Sequence, residues 1–246
     1  IMIKNPVVIK KGQSDEEISD IFSRTKFLAL PLVDEKDRIL GTLTLKNAID
    51  IIRKENAEDL LKSQGADFGV YQKSIIKRLK TKLPWLITTI MSGLFCGMIV
   101  FFFEPALKKI IALAFFIPLI TAMGESVAGQ ASAIVIEGMA LGTVKEKKIK
   151  ELFNRQLFEG VIMAVLMGML ILLLSILWLG SVLVTTIITL TIIITIVLAT
   201  ITGTLGPIIL KKIKIDPVAS TNPLVFAITD ITVLIFYFSF AIYMLK

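Results

Sequence analysis

Five long apolar runs occupy the C-terminal two thirds of this 246-residue chain and set the main limit on its fold. At 1.5 Å per residue, the first run measures roughly 31 Å, which matches the hydrocarbon core of a bilayer. Hydrophobic residues make up 55% of the chain, above the roughly 45–50% of soluble domains. The sequence therefore predicts a mostly α-helical protein embedded in the lipid bilayer, with spans at 83–103, 107–141, 153–178, 182–210 and 223–245.

The N-terminal third is charged and mixed in character, like a soluble domain. Short apolar segments alternate there with two helical patterns in the order βαββα, and Ser14 with Glu17 fits a helix-capping box. Residues 57–82 are predicted to form a basic helix that is interrupted at Gly65 and Gly69. We therefore divide the chain into a small α/β head at 1–56, a connecting helix at 57–82 and a five-span domain at 83–246.

The positive charge of the chain indicates topology rather than a nucleic-acid partner. The chain carries 27 Lys and Arg against 20 Asp and Glu, but the cationic residues cluster just outside the apolar runs, as in cytoplasmic loops. With five spans, the head and the loops at 142–152 and 211–217 share one basic face. We expect a multi-pass protein of the plasma (inner) membrane with its head cytoplasmic, its C-terminus outside and further chain before Ile1.

The near absence of nitrogen and sulfur ligands limits the metals that the chain can handle. There is no His and one Cys, Cys96, which lies inside an apolar run. Zinc and copper sites of the usual kind are excluded, and so is a disulfide within the chain. Any metal must be held by oxygen, which suits Mg²⁺, Ca²⁺ or Mn²⁺.

One carboxylate stands out within the spans. Asp230 lies in an otherwise uncharged run, where an aspartate costs roughly 2.5–3.5 kcal/mol near the bilayer centre and usually faces a cavity or a partner. No Lys or Arg lies at comparable depth to pair with it. Asn222, Phe226 and Asp230 recur at a spacing of four, so they share one helix face. That face is predicted to line an ion path.

A small, polar stretch at 124–130 interrupts the second apolar run and contains Glu125, Ser126 and Gln130. We predict one long helix that is broken there. The backbone carbonyls freed by such a break at membrane depth would be good ligands for hard cations. The small residues of the stretch suit close helix packing equally well, and that alternative stays open. The threonines of the fourth span are predicted to bond to the backbone one turn back and to serve packing.

The residues argue against an enzyme. A Ser/His pair is impossible without His, an aspartyl protease needs two carboxylates that act together, and one Asp lies deep in the spans. The chain also lacks a G-x-x-x-x-G-K-[ST] motif, so transport would be passive and driven by the membrane potential. The alternative is a proton- or sodium-coupled secondary transporter of divalent cations, in which Glu125, Glu137 and Asp230 relay protons.

The head carries a recognisable pattern. ALPLVD at 29–34 followed by GTLT at 41–44 resembles a CBS motif. Such motifs work in pairs, so the head is half of a pair and its partner lies elsewhere. The resemblance implies a cleft that in many families binds adenine nucleotides. Nucleotide binding is left open, because Asn47 stands where the family often has an Asp that holds a ribose.

The whole chain resembles the MgtE family of magnesium channels. The resemblance is carried by FEPAL at 103–107, AFFIPL at 114–119, NPL at 222–224 and TDIT at 229–232, taken in that order. It implies a homodimer whose ion path lies between the second and fifth spans of both subunits. It also implies that Mg²⁺ is both the transported and the regulatory ion, with the head as a Mg²⁺ sensor and the connecting helix as a gating plug.

The resemblance assigns Asp230 as the pore carboxylate that holds a largely hydrated Mg²⁺. Glu125, Asn222, Gln130 and Ser126 are the other candidate metal ligands. The family usually has Gly-Gly-Asn where this chain has GES at 124–126, and many relatives carry Glu where this chain has Gln156. Selectivity for Mg²⁺ over other divalent cations is therefore left open.

Overall fold

The computed structural model describes residues 6–25, 27–63, 74–140 and 148–244. These residues form two compact units, the first ending at Lys62 and the second comprising the helices from residue 75 onward. The order of elements in the first unit is β1 (Ile9–Lys10), α1 (Asp15–Thr25), β2 (Ala29–Val33), β3 (Ile39–Thr44) and α2 (Leu45–Ser63). The predicted βαββα pattern is confirmed.

A three-stranded sheet in the order β1-β2-β3 organises the first unit. β1 pairs parallel to β2, and β3 pairs antiparallel to β2. Ile9, Phe22, Leu30 and Ala48 form the buried core under this sheet. α1 covers the core because Ile18, Ile21 and Phe22 recur at helical spacing on one face.

Local hydrogen bonds fix the starts of both helices in this unit. The Ser14 hydroxyl accepts a bond of 3.2 Å from the backbone N–H of Glu17, as the capping box predicts. At the start of α2, Asn47 Oδ1 accepts from the Thr44 hydroxyl at 2.5 Å and from the Thr44 N–H at 3.2 Å. The Asn47 side chain is thus used in capping the helix.

The second unit is built from helices. They are α3 (Ile75–Phe102), the short α4 (Glu104–Lys109), α5 (Ala112–Ala140), α6 (Ile149–Leu179), α7 (Val182–Lys212) and α8 (Pro217–Met244). Five of them are long and apolar enough to cross a membrane, with α4 as the exception. The prediction of five spans is confirmed.

α7 lies at the centre of the helical unit. It packs against α5, α6 and α8, while α3 packs against α8 and leaves most of its side chains exposed. Several α7 threonines donate to the backbone one turn back, including Thr191 to Ile187 O and Thr204 to Thr200 O. The predicted bonding of these threonines to the backbone is confirmed.

The predicted break in the second span is wrong. α5 continues as a single helix from Ala112 to Ala140 and passes through 124–130 without interruption. Its small residues are used for close packing, since a Cβ on Gly203 of α7 would collide with the backbone of Ala128. Ser132 Oγ also donates a hydrogen bond of 2.9 Å to Gly203 O. Freed backbone carbonyls are therefore not available in this stretch.

The described residues do not test the predicted connecting helix at 57–82 as a whole. The boundary between 56 and 57 falls inside α2, and the boundary between 82 and 83 falls inside α3. Gly65 and Gly69, where breaks were predicted, lie outside the described residues. The functional division of the chain at these positions stays a prediction.

Candidate ion-binding site

Two carboxylates from different spans meet inside the helical unit. Glu125 of α5 lies within interaction range of Asp230 of α8, and each residue is partly buried. One oxygen of Asp230, Oδ1, is fully buried and has no hydrogen-bond partner within the described part of the chain. The pair therefore lies at the contact between α5 and α8, and Asp230 Oδ1 can accept a further hydrogen bond.

Glycines of α5 allow this approach. A Cβ on Gly124 would lie 3.2 Å from Thr229 Cγ2, and a Cβ on Gly129 would lie 3.2 Å from the Phe226 ring. Both positions flank Glu125, and both partners flank Asp230, so the two backbones come close enough for the carboxylates to meet. The stretch predicted to break the helix is therefore the one that brings the two acids together.

α7 and α3 complete the surroundings of the pair. The hydroxyls of Thr202 and Thr229 lie 2.7 Å apart, which links α7 to α8 one residue from Asp230. Cys96 of α3 lies near both carboxylates. Sequence reasoning did not assign Thr202 or Cys96 to the site, and no signal in the sequence separates Thr202 from the other threonines of α7.

The other predicted ligands are not gathered at this point. Ser126 and Gln130 are exposed on α5, where Gln130 Nε2 lies 3.4 Å from Ser126 Oγ. Asn222 is half-buried on α8, and its eight-residue separation from Asp230 corresponds to about 12 Å along the helix axis. The structure therefore brings Glu125 and Asp230 together and leaves the other three candidates apart from them.

Among the residues that the structure describes, no ion pair joins the carboxylate pair to a basic side chain. The ion pairs within the described helical unit join Lys108 to Glu104 at 2.8 Å and Arg155 to Glu159 at 3.2 Å, and neither involves the pair. Among the described residues, no group of three or more His, Cys, Asp or Glu is arranged to hold a metal. Two adjacent acids without a base require a cation or a shared proton.

Comparisons with known proteins agree with this chemistry. Residues 117–240 match the family model MgtE, described as a divalent cation transporter, and residues 1–54 match the CBS domain. The chain is similar to a protein named magnesium transporter MgtE from Bacillus subtilis, with 34% identity over 93% of the chain and 51% of that protein. Proteins of the same name from Thermus thermophilus and Enterococcus faecalis are 26% and 24% identical, over 97% and 98% of the chain and 54% and 53% of their own lengths. The chain thus spans about half the length of these curated relatives.

Proposed function

Because the chain belongs to the MgtE family of divalent cation transporters, we propose that it passes Mg²⁺ across the membrane at the paired carboxylates of Asp230 and Glu125. The family consists of transporters rather than enzymes. The observation that carries the proposal is the meeting of these two acids, with no basic partner in the described part of the chain, at the contact between two helices long enough to span a membrane.

The chemistry of the pair suits this ion. Mg²⁺ gives up its waters reluctantly and is usually held through one or two carboxylates with several waters retained. Oxygen ligands also discriminate against softer metals, which prefer imidazole and thiolate. Asp230 Oδ1 is buried and unpartnered among the described residues, so it can accept a hydrogen bond from a water of the hydrated ion. Glu125 then supplies the second negative charge.

A homodimer would complete the path. One chain offers two carboxylates at this point, and a second copy across a two-fold axis would double them. We place the path between α5 and α8 of both subunits. Asn222 is a further candidate oxygen ligand on α8, while Ser126 and Gln130 lie on an exposed face of α5 that a second subunit can cover.

Regulation is assigned to the N-terminal part of the chain. The head is proposed to sense cytoplasmic Mg²⁺, and residues 57–82 to act as the gate, with the protein in the plasma membrane of a prokaryotic cell and its C-terminus outside. Nucleotide binding by the head has less support, because Asn47 is used in capping α2.

A coupled transporter is the second candidate. Two adjacent carboxylates can share a proton, since like charges disfavour full ionisation of both. The three-residue relay has less support, because Glu137 lies twelve residues beyond Glu125 on α5, about 18 Å along the helix axis. The two candidates differ in whether Mg²⁺ uptake needs a proton or sodium gradient.

The test uses liposomes that contain the full chain and a Mg²⁺-sensitive dye. We expect uptake at fixed voltage without a proton or sodium gradient, and its loss in Asp230→Asn. Glu104→Gln is the matched control, because Glu104 is an exposed carboxylate paired with Lys108 on α4. Uptake that requires a gradient would favour the coupled transporter, and equal uptake by the native chain and Asp230→Asn would remove Asp230 from the path.

A further inference from the structure

A hydrogen-bonded pair of threonines beside the two carboxylates joins α7 to α8. The hydroxyl oxygens of Thr202 and Thr229 lie 2.7 Å apart. Thr202 also donates to the backbone oxygen of Ala199 at 3.1 Å, within its own helix. A hydroxyl has one proton, so Thr202 uses its proton on Ala199 O and accepts the proton of Thr229. The two bonds therefore run in one direction, from α8 into α7.

This bond holds the Thr229 side chain in one orientation. Its hydroxyl faces Thr202 of α7, and its methyl carbon, Cγ2, would lie 3.2 Å from a Cβ on Gly124 of α5. Thr229 is 1% exposed, so a rotated hydroxyl would need a new acceptor inside a packed interior. One β-branched side chain thus faces both neighbouring helices at once.

Two consecutive residues of α5 face two consecutive residues of α8. Gly124 faces Thr229, and Glu125 lies within interaction range of Asp230. Successive residues of a helix are held about 1.5 Å apart along its axis by the backbone itself. The approach of Thr229 to Gly124 therefore sets how closely the backbones that carry the two acids come together.

Thr229 is not placed to bind an ion directly. It is buried, its proton is used on Thr202, and its methyl group is directed at Gly124. The two carboxylates, in contrast, are each partly exposed. The contribution of Thr229 to the site is therefore the position that it gives to Asp230.

The separation of two carboxylates affects which divalent cation they prefer. Mg²⁺ requires near-ideal octahedral geometry and keeps several of its waters, whereas Ca²⁺ accepts more oxygen ligands in an irregular arrangement. A constant separation between the acids favours one hydrated Mg²⁺. A variable separation weakens the discrimination against Ca²⁺, because this ion adapts to an irregular site.

We propose that Thr202 and Thr229 are positioning residues that hold Asp230 and Glu125 at the separation that prefers Mg²⁺ over Ca²⁺. The bond between the threonines orients Thr229, and the contact of its methyl group with Gly124 sets the distance between α5 and α8. This inference rests on the proposed function of the carboxylate pair. It assigns the selectivity of that pair to two residues that do not touch the ion.

The bond is tested in liposomes that contain the full chain, with initial rates of Mg²⁺ and Ca²⁺ uptake measured separately at fixed voltage. Thr202→Val leaves the Thr229 proton without an acceptor, and we expect the ratio of the Mg²⁺ rate to the Ca²⁺ rate to fall about fivefold. Thr202→Ser keeps the hydroxyl and should keep the native ratio. Thr204→Val is the matched control, because Thr204 is fully buried and its hydroxyl donates to Thr200 O within α7.

An exchange of one methyl group between α5 and α8 tests the contact. Gly124→Ala should also lower the ratio, because its Cβ would lie 3.2 Å from Thr229 Cγ2 and the helices would have to separate by a few tenths of an ångström. The next contacts of this Cβ, with Thr195 at 3.5 Å and Val233 at 3.8 Å, are ordinary. Thr229→Ser removes the opposing methyl group and keeps the hydroxyl. The double variant Gly124→Ala/Thr229→Ser should therefore recover the native ratio.

The ratio separates positioning from general packing. Lost packing would lower the thermal unfolding midpoint and both uptake rates while leaving the ratio unchanged. An unchanged ratio in Thr202→Val and Gly124→Ala, an equal fall in Thr204→Val, or no recovery in the double variant would each overturn the inference. The proposed function would still stand if Asp230→Asn abolished Mg²⁺ uptake. Equal Mg²⁺ uptake by the native chain and Asp230→Asn would overturn the proposed function and this inference with it.

Discussion

The Ser132 hydroxyl of α5 donates a hydrogen bond of 2.9 Å to the carbonyl oxygen of Gly203 in α7. One turn away on α5, Ala128 lies so close to Gly203 that a Cβ there would meet the Ala128 carbonyl. These contacts hold the two backbones together in the part of α5 that also carries Glu125. The carboxylate site therefore depends on how closely α5 and α7 pack.

Gly203→Ala should destabilise the helical unit. Its added methyl would meet backbone atoms, which cannot rotate away, and overpacking of this kind typically costs about 1–3 kcal/mol. We expect the thermal unfolding midpoint in detergent to fall by several degrees.

Gly97→Ala on α3 is the matched control, because nothing lies within 4 Å of the added Cβ. Both substitutions gain the same helix propensity, about 1 kcal/mol. The difference between them therefore isolates the contact with Ala128. A midpoint of Gly203→Ala equal to that of Gly97→Ala would contradict the close approach of α5 and α7.

Glu125 and Asp230 should behave as one unit in transport. We expect Asp230→Asn to lower the initial rate of Mg²⁺ uptake at least tenfold and Glu125→Gln to lower it about three- to tenfold. The double variant should be little worse than Asp230→Asn, because residues that act on one ion are not additive. Uptake into dye-loaded liposomes measures all three, and fully multiplicative losses would mean that the two acids act independently.

Much of the fold could be predicted because it is encoded locally. The alternation of apolar and polar residues indicated the strands and helices of the head, and run length indicated the five spans. The Ser14 cap could be read from four consecutive residues. α3 nevertheless begins at Ile75, earlier than the predicted span, because an apolar run marks the hydrocarbon core while a helix continues through the interface.

The error at 124–130 has a different origin. Small and polar residues in an apolar run are compatible with a broken helix and with a tightly packed one, and the choice depends on residues distant in the sequence. Here Gly203, Phe226 and Thr229 provide the surfaces that the small residues fit. The meeting of Glu125 with Asp230 is long-range in the same way, so the sequence indicated both acids as candidates without pairing them.

A buried hydrogen bond ties the start of α5 to α8. The Tyr237 hydroxyl donates to Leu113 O at 2.8 Å, and Tyr237 is fully buried. Tyr237→Phe should lower the free energy of unfolding by about 1 kcal/mol, since the Leu113 carbonyl loses this partner while packing is kept. Tyr243→Phe is the matched control, because Tyr243 is 73% exposed on the same helix. Equal thermal midpoints for the two variants would show that the bond contributes nothing.

The turn between β2 and β3 should make the head sensitive to acid. Asp34 Oδ1 accepts hydrogen bonds of 2.9 Å from the backbone N–H groups of Arg38 and Lys36, and Arg38 Nε donates to Asp34 Oδ2 at 3.0 Å. These bonds, led by that from the Arg38 N–H, hold the pKa of Asp34 below its ordinary value of 3.8. The folded state therefore favours the charged form of this side chain.

The sign of the effect follows from that shift. A carboxyl group whose pKa is lower in the folded state stabilises the fold when the pH is above its ordinary pKa of 3.8. This contribution is lost as the pH falls through the lower pKa of the folded state. We expect the turn at 34–38 of the full chain to become more susceptible to proteolysis as the pH is lowered from 5 to 3, measured with an acid-active protease. Asp34→Asn should be more susceptible to proteolysis than the native chain at pH 5, and its susceptibility should change less between pH 5 and pH 3.

Asp50→Asn, at an exposed position on α2, controls for the loss of one carboxylate. Identical pH profiles for the native chain and Asp34→Asn would mean that this turn contributes nothing to the acid response.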